Sequence, residues 1–86
     1  MIDTFGKYLR ACRMTAGLSQ IRLVELAPDG WSVSQTAVSA WERDERIPTV
    51  GQLAALADLL GWTPGELRRA VSLVAANEAS RRTAND

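Results

Sequence analysis

The ten residues from Val33 to Glu42 constrain the fold of this chain more than any other stretch. Apolar side chains recur there at helical spacing and would share one buried face: Val33, Ala37, Val38 and Trp41. The opposite face would carry Gln35, Thr36, Ser39, Ala40 and Arg43. Its side chains are short and uncharged until the end of the helix, and most of them both donate and accept hydrogen bonds. The pattern predicts a short helix with one buried face and one polar face.

On composition alone, two interpretations of the polar face stay open. Short hydrogen-bonding side chains suit the major groove of double-stranded DNA, where base edges present donors, acceptors and the thymine methyl group. The alternative is an ordinary solvent-exposed helix face rich in small polar residues. Composition by itself favours that alternative, whereas the flanking motifs favour DNA.

The flanking motifs occur in a defined order along the chain. They are Gly17-Leu18-Ser19-Gln20, residues 33–43, Arg46-Ile47-Pro48-Thr49 and the apolar stretch 53–61. In this order, from about Phe5 to Leu67, they resemble the helix-turn-helix domains of the Cro/C1-repressor (XRE) family. The resemblance implies an all-α fold, a five-helix lambda-repressor-like domain with an extended last helix. The connection from Ala27 to Ser32 is longer than in the family, so we expect its turn geometry to differ.

Base contacts are expected from the N-terminal part of the third helix, where this motif reads DNA. The candidates are Gln35, Thr36, Ser39 and Ala40. Gln35 suits a bidentate contact to adenine, and Thr36 or Ala40 suits a thymine methyl group. The candidates for phosphate contacts are Gln20, Ser34, Arg43 and Arg46. Two alternatives remain: Gln20 is a plain first residue of its helix, and the two arginines pair with the neighbouring acids Asp44 and Glu45.

The resemblance also implies an ion pair between Arg13 and Glu42, which would link the first helix to the third. Its expected role is structural, because a charge left without its partner in a poorly solvated site is destabilising. The alternative is two ordinary surface charges.

In the family, the end of the domain commonly forms a two-fold dimer contact. The resemblance therefore implies a homodimer whose contact residues here are Trp62, Leu67, Val71 and Val74. The alternative is that the extra turns of the last helix merely cover the core of one subunit.

Local signals predict where each helix begins and ends. The expected bounds are Thr4 to Thr15, Gln20 to about Leu26 or Ala27, Ser34 to Arg43 or Asp44, Thr49 to Gly61, and Thr63 to about Ala76. We expect a helix-turn-helix DNA-binding domain over residues 1–76 and a frayed polar C-terminal tail over residues 77–86. We also expect Trp31, in the long connection, to pack into the core.

The 86 residues suffice for one domain, and the formal net charge is zero. Charge is unevenly distributed, with balances of +3 over residues 1–24, −5 over residues 25–66 and +2 over residues 67–86. Such a chain can turn a basic surface toward phosphates while staying neutral, and we expect modest affinity for non-specific DNA.

Other functions are disfavoured by what the sequence lacks. It has no apolar run long enough to cross a membrane, so we expect a soluble, cytoplasmic protein without a membrane partner. Its single cysteine, Cys12, is expected to be a small buried side chain. It has no histidine, no spaced metal ligands and no phosphate-binding glycine loop. We expect neither catalysis nor a metal or cofactor.

Two functions follow as expectations. The first is a sequence-specific transcriptional regulator, a repressor that occupies a pseudo-palindromic operator as a dimer. The alternative is a protein-interaction module, such as an antitoxin or assembly adaptor, in which this fold holds a protein partner.

Overall fold

A computed structural model describes residues 2–84, and this part of the chain contains five α-helices and no strand. The helices are α1 (Phe5–Thr15), α2 (Gln20–Leu26), α3 (Gln35–Glu42), α4 (Val50–Leu60) and α5 (Pro64–Ala84). The predicted all-α, five-helix fold is confirmed. Helix α1 packs against α3 and α5, α2 packs against α3, and α4 packs against α5.

Each helix begins at a hydroxyl side chain that accepts a hydrogen bond from a backbone amide of the first turn. The accepting residues are Thr4, Ser19, Ser34, Thr49 and Thr63. Capping boxes are present at the starts of α4 and α5, because Gln52 and Glu66 each accept a hydrogen bond from the N-cap amide. Local sequence therefore fixes the start of every helix.

The core lies where all five helices meet. Its largest fully buried side chains are Phe5, Leu9, Leu23, Val38, Trp41 and Leu56. Burial of these side chains leaves only one side of α3 for other contacts. Cys12 is half-buried against this core, in line with the expectation of a small packed side chain.

The last helix is longer than expected. The prediction that it ends near Ala76 is wrong, because α5 continues to Ala84. The predicted fraying of residues 77–86 stays a prediction. Residues 77–84 contain alanine, arginine and glutamate, which have high helix propensity. The final two residues of the predicted tail, 85 and 86, lie outside the described residues.

Candidate nucleic-acid interface

The N-terminal end of α3 presents Gln35 and Thr36 to solvent. Ser34 fixes this end, since its Oγ accepts a hydrogen bond from the amide of Ala37 at 3.1 Å. Among residues 2–84, neither Gln35 nor Thr36 has a side-chain hydrogen bond to another residue. Two of the four side chains that the sequence assigned to base contacts are therefore exposed next to each other.

The long connection between α2 and α3 leaves this end of α3 uncovered. The side-chain amide of Gln52 on α4 donates through Nε2 to the carbonyl oxygen of Ser32 at 3.1 Å and so holds the connection against α4. Trp31, predicted to pack into the core, is 37% exposed, so that prediction is wrong. The added residues point Trp31 toward a shallow cleft on α4, next to Gln52 and Asp58. Extra length in the turn is thus accommodated away from Gln35 and Thr36.

Ala40 does not belong to the exposed face. It is 4% exposed, which contradicts its predicted base contact. Residues three and four apart share a helix face, and Ala40 follows the buried Ala37 by three positions. The buried side of α3 is therefore wider than the sequence pattern indicated, and of the two residues suggested for a thymine methyl group only Thr36 is exposed.

Ser39 and Arg43 contact each other one turn further along α3. The Arg43 guanidinium donates to Ser39 Oγ and to both carboxylate oxygens of Glu45, the latter at 2.7 and 3.0 Å. These hydrogen bonds hold the pKa of the Glu45 carboxyl below its ordinary value. The alternative of local pairing is therefore realised for Arg43, although the pair is exposed and can exchange partners.

Arg46 differs from Arg43 in that it forms no ion pair within residues 2–84, although its charge contributes to lowering the pKa of Glu45. Its side chain is exposed, and within residues 2–84 no carboxylate lies within ion-pair distance of it. Of the two arginines expected at phosphates, Arg46 is the one whose charge is available without breaking a pair.

Arg13 and Glu42 form the predicted ion pair. Arg13 Nε lies 2.7 Å from Glu42 Oε2, and its Nη2 lies 3.0 Å from Oε1. The side chains are 11% and 5% exposed, and the hydrogen bonds that Arg13 donates to Glu42 raise the pKa of Arg13 above its ordinary value. Arg13 also donates to the carbonyl oxygen of Leu18 at 2.7 Å. The pair therefore joins α1, the α1–α2 connection and the end of α3.

Gln20 is part of the same network. Its Nε2 donates to Glu42 Oε1 at 3.2 Å, a contact that the sequence did not indicate. The side chain is half-buried at the first position of α2. One donor of the amide is thus committed to the protein, and its predicted phosphate contact stays a prediction.

A second tie between α1 and the end of α3 was also missed from the sequence. The amide of Gly6 donates to Asp44 Oδ1 at 2.9 Å, and Asn77 Nδ2 donates to the same oxygen at 2.8 Å. Asp44 has a left-handed backbone conformation with φ of 58°. The signal that could have pointed to it is an aspartate at a position where the family commonly has glycine.

These features make α2 and α3 a pair of helices fixed by α1, with the start of α3 exposed. A family model described as a helix-turn-helix domain matches residues 4–71, which include α1 to α4 and the start of α5.

The chain belongs to the helix-turn-helix domain family.

This match is consistent with the resemblance to the Cro/C1-repressor (XRE) family, and no curated protein or solved structure matches the chain. Helix-turn-helix domains bind DNA by placing the second helix of the motif in the major groove. In this helix-turn-helix domain, α2 and α3 occupy the positions of the two helices of the motif.

An apolar groove of about 430 Å³ runs between the start of α4 and the middle of α5 in this helix-turn-helix domain. We call it the α4–α5 groove; its apolar lining includes Ile47, Val50, Leu53, Leu67, Val71 and Val74. Val50 is 85% exposed and Val71 is 48% exposed, whereas Val74 is 8% exposed. Of the predicted dimer contacts, Leu67 and Val71 therefore lie on a surface that a partner could cover.

Trp62 and Val74 are less available for the predicted dimer contact. Val74 belongs to the core, so its side chain already packs within its own subunit. Trp62 is half-buried against Tyr8, with ring centroids 5.7 Å apart, and lines a different cleft from the α4–α5 groove. Its buried Nε1 has no hydrogen-bond partner among the described residues. Exposed Val50, which the sequence did not single out, lies in the groove instead.

Residues 2–84 of the helix-turn-helix domain lack two further kinds of feature. No helix in that range is both long and apolar enough to span a membrane. The same range has no group of three or more His, Cys, Asp or Glu side chains placed to hold a metal ion.

Proposed function

We propose that this protein is a sequence-specific transcriptional regulator that represses by occupying an operator and blocking polymerase. The observation that carries the proposal is the exposure of Gln35 and Thr36 at the start of α3, clear of the long connection. The major groove of B-DNA is wide enough to admit an α-helix, and the first residues of the inserted helix then contact base edges.

Each exposed side chain on this surface has a role in the proposal. Gln35 offers one donor and one acceptor to the matching groups of adenine, and the Thr36 methyl group contacts a thymine methyl. Ser39 contributes only if Arg43 turns away from it, because the two are hydrogen-bonded in the free protein. Ser34, Gln20 and Arg46 are proposed to contact phosphates on either side.

Charge supports a dimer rather than a tight single-subunit complex. The chain has no net charge, and phosphate neutralisation supplies most of the non-specific affinity for DNA. One subunit therefore gains little from electrostatic attraction. Two linked recognition helices raise affinity without any new contact, because the second binding event becomes intramolecular.

We place the dimer contact in the α4–α5 groove, with a second copy of the chain as its occupant. Val50 and Val71 expose apolar surface that would otherwise face water. Leu67, on α5, lines the same groove. A two-fold contact there would put the same side chains on both partners. Replacing the exposed Val71 with Glu should separate the subunits and leave each one folded.

A second candidate function is a protein-interaction module, such as an antitoxin or assembly adaptor. The α4–α5 groove favours it as well, since an apolar groove can accept a helix of another protein. Neither function includes catalysis or a cofactor. The candidates can coexist, because a dimeric regulator can bind both an operator and a partner.

The testing experiment is selection of bound sequences from random duplex DNA, with the mass of the complex measured in parallel. We expect a pseudo-palindrome with half-sites about 10–10.5 bp apart and two protein chains per duplex. Val71→Glu should shift the free protein to monomer mass and weaken operator binding. Ser72→Glu, which adds the same charge at the neighbouring exposed position, is the matched control and should do neither.

Three results would contradict the proposal. Equal affinity for selected and random DNA in moderate salt would remove sequence specificity. A dimer that survives Val71→Glu would remove the α4–α5 groove as its contact. Purification with a stoichiometric protein partner and no retention of DNA would favour the interaction module.

A further inference from the structure

Three helices meet at Asp44, two residues after the end of α3. Its Oδ1 accepts hydrogen bonds from the backbone amide of Gly6 in the first turn of α1 and from the side-chain amide of Asn77 in α5. The two contacts are 2.9 and 2.8 Å long and span 38 and 33 positions of the chain. Asp44 thus joins the end of the recognition helix to elements distant in the sequence.

The backbone at Asp44 indicates that its carboxylate is needed. Its φ of 58° lies in the left-handed region, which glycine adopts most easily and aspartate tolerates less well. Aspartate therefore costs some backbone strain at a position where glycine would fit. The hydrogen bonds from Gly6 and Asn77 are what glycine could not provide.

Asn77 lies on the helix that also carries the proposed dimer contact. On α5, Val71, Val74, Ala75 and Glu78 line the α4–α5 groove, and the half-buried Asn77 contacts Asp44 within the same turn. A single rigid helix therefore connects the surface proposed for the second subunit to the end of α3.

We propose that Asp44 and Asn77 are positioning residues that fix the angle between the recognition helix and the dimer helix, and thereby set the half-site spacing that the dimer accepts. This inference rests on the proposed function. Each added base pair moves the second half-site by about 3.4 Å and rotates it by roughly 35° about the DNA axis. A dimer with a fixed angle rejects such operators, and one with a loose angle tolerates them.

The test compares operators of native spacing with operators lengthened or shortened by one base pair, and with an isolated half-site. The native protein is expected to lose roughly 10²-fold in affinity when the spacing changes, because both half-sites can no longer be engaged together. Asn77→Ala and Asp44→Gly should each reduce that penalty by at least about fivefold. Affinity for the isolated half-site should not change, since neither residue touches DNA in the proposal.

Two further variants separate positioning from a loss of folding. Asp44→Asn keeps an acceptor oxygen for both amides and tolerates the left-handed backbone, so it should keep the native spacing penalty. Ser72→Ala changes an exposed position on the same helix and should also keep it. The double variant Asp44→Gly, Asn77→Ala should be no more tolerant than the more tolerant single variant, because both single changes remove the same hydrogen bond.

The inference is overturned if Asn77→Ala and Asp44→Gly reject altered spacing as strongly as the native protein. It is also overturned if both variants weaken the half-site and every operator equally, because that result describes a purely structural role. Failure of the native protein to distinguish any operator from random duplex would refute the proposed function, and this inference with it.

Discussion

Gly6 lies against the last turn of α3, so that a Cβ at this position would be 2.6 Å from the carbonyl oxygen of Trp41. The carbonyl oxygen of Glu42 would be equally close. Backbone atoms cannot move aside as a flexible side chain can, so only glycine lets α1 approach the end of α3 at this distance.

Gly6→Ala should therefore destabilise the fold, although alanine is usually the better helix residue. We expect a loss of about 1–3 kcal/mol in the free energy of unfolding, as for overpacked sites. Gly51→Ala is the matched control on α4, because its Cβ would meet nothing closer than Thr49 Oγ1 at 3.9 Å, and we expect a gain of up to about 1 kcal/mol. Urea unfolding of both variants checks the pair. A gain in stability for Gly6→Ala would contradict the close approach.

Glu42→Ala should destabilise the domain more than any single change at an exposed ion pair. It would leave Arg13, which is 11% exposed, without a carboxylate, and removal of one partner from a buried pair costs about 3–5 kcal/mol. The lower end of that range corresponds to a fall in melting temperature of roughly 12–24 °C for a domain of this size. Glu45→Ala, at the exposed pair with Arg43, is the control and should change the melting temperature little. Similar falls in melting temperature for the two substitutions would mean that the Arg13–Glu42 pair does not stabilise the fold more than an exposed ion pair does.

Arg46→Ala and Arg43→Ala should differ in their effect on DNA binding. Arg46 forms no ion pair within residues 2–84, so its loss should weaken binding to all sequences and reduce the salt slope by about 1. Arg43 must first give up Glu45, so its loss should change the slope less. Affinity measured over a series of salt concentrations checks this. An equal change for both arginines would show that the pair with Glu45 does not persist near DNA.

Tyr8 should titrate at unusually high pH. Burial raises the pKa of Tyr8 to about 12, and its hydroxyl donates to the carbonyl oxygen of Glu66 at 3.1 Å. Folding thus favours the protonated phenol, and its contribution to stability is complete below pH 10 and lost as pH rises toward 12. Because Tyr8 is the single tyrosine, tyrosinate absorbance reports it directly. A midpoint near 10 in the folded protein, as expected in the denatured chain, would contradict burial of the hydroxyl.

Sequence reasoning succeeded where structure depends on neighbouring residues. The caps at Ser34, Thr49 and Thr63 are local hydrogen bonds, so the starts of their helices could be predicted. The Arg13–Glu42 pair spans 29 positions and could be predicted only from the resemblance to a family. Local pattern alone carries no information about which charged residues meet across the core.

The features that the sequence did not predict depend on contacts between residues far apart in the chain, or on how deeply a side chain is buried. Contacts of Gly6 and Asn77 with Asp44 require three helices to be placed first, so no spacing in the sequence indicates them. Burial of Ala40 depends on how wide a surface covers α3. The spacing of apolar residues indicates which side of α3 is buried, but it does not indicate how wide that side is. Trp31 is apolar enough for a core, but the connection that carries it is held on the outside of α4.

The central claim is that Gln35 reads a base in the major groove. The most direct measurement is the affinity of native protein and of Gln35→Ala for every single-base variant of the selected operator, with Ser72→Ala as the control. We predict that Gln35→Ala loses about 1–3 kcal/mol of discrimination at one symmetry-related pair of positions and keeps the native preferences elsewhere. Unchanged preferences at every position, or a uniform loss of affinity without any loss of discrimination, would contradict the account.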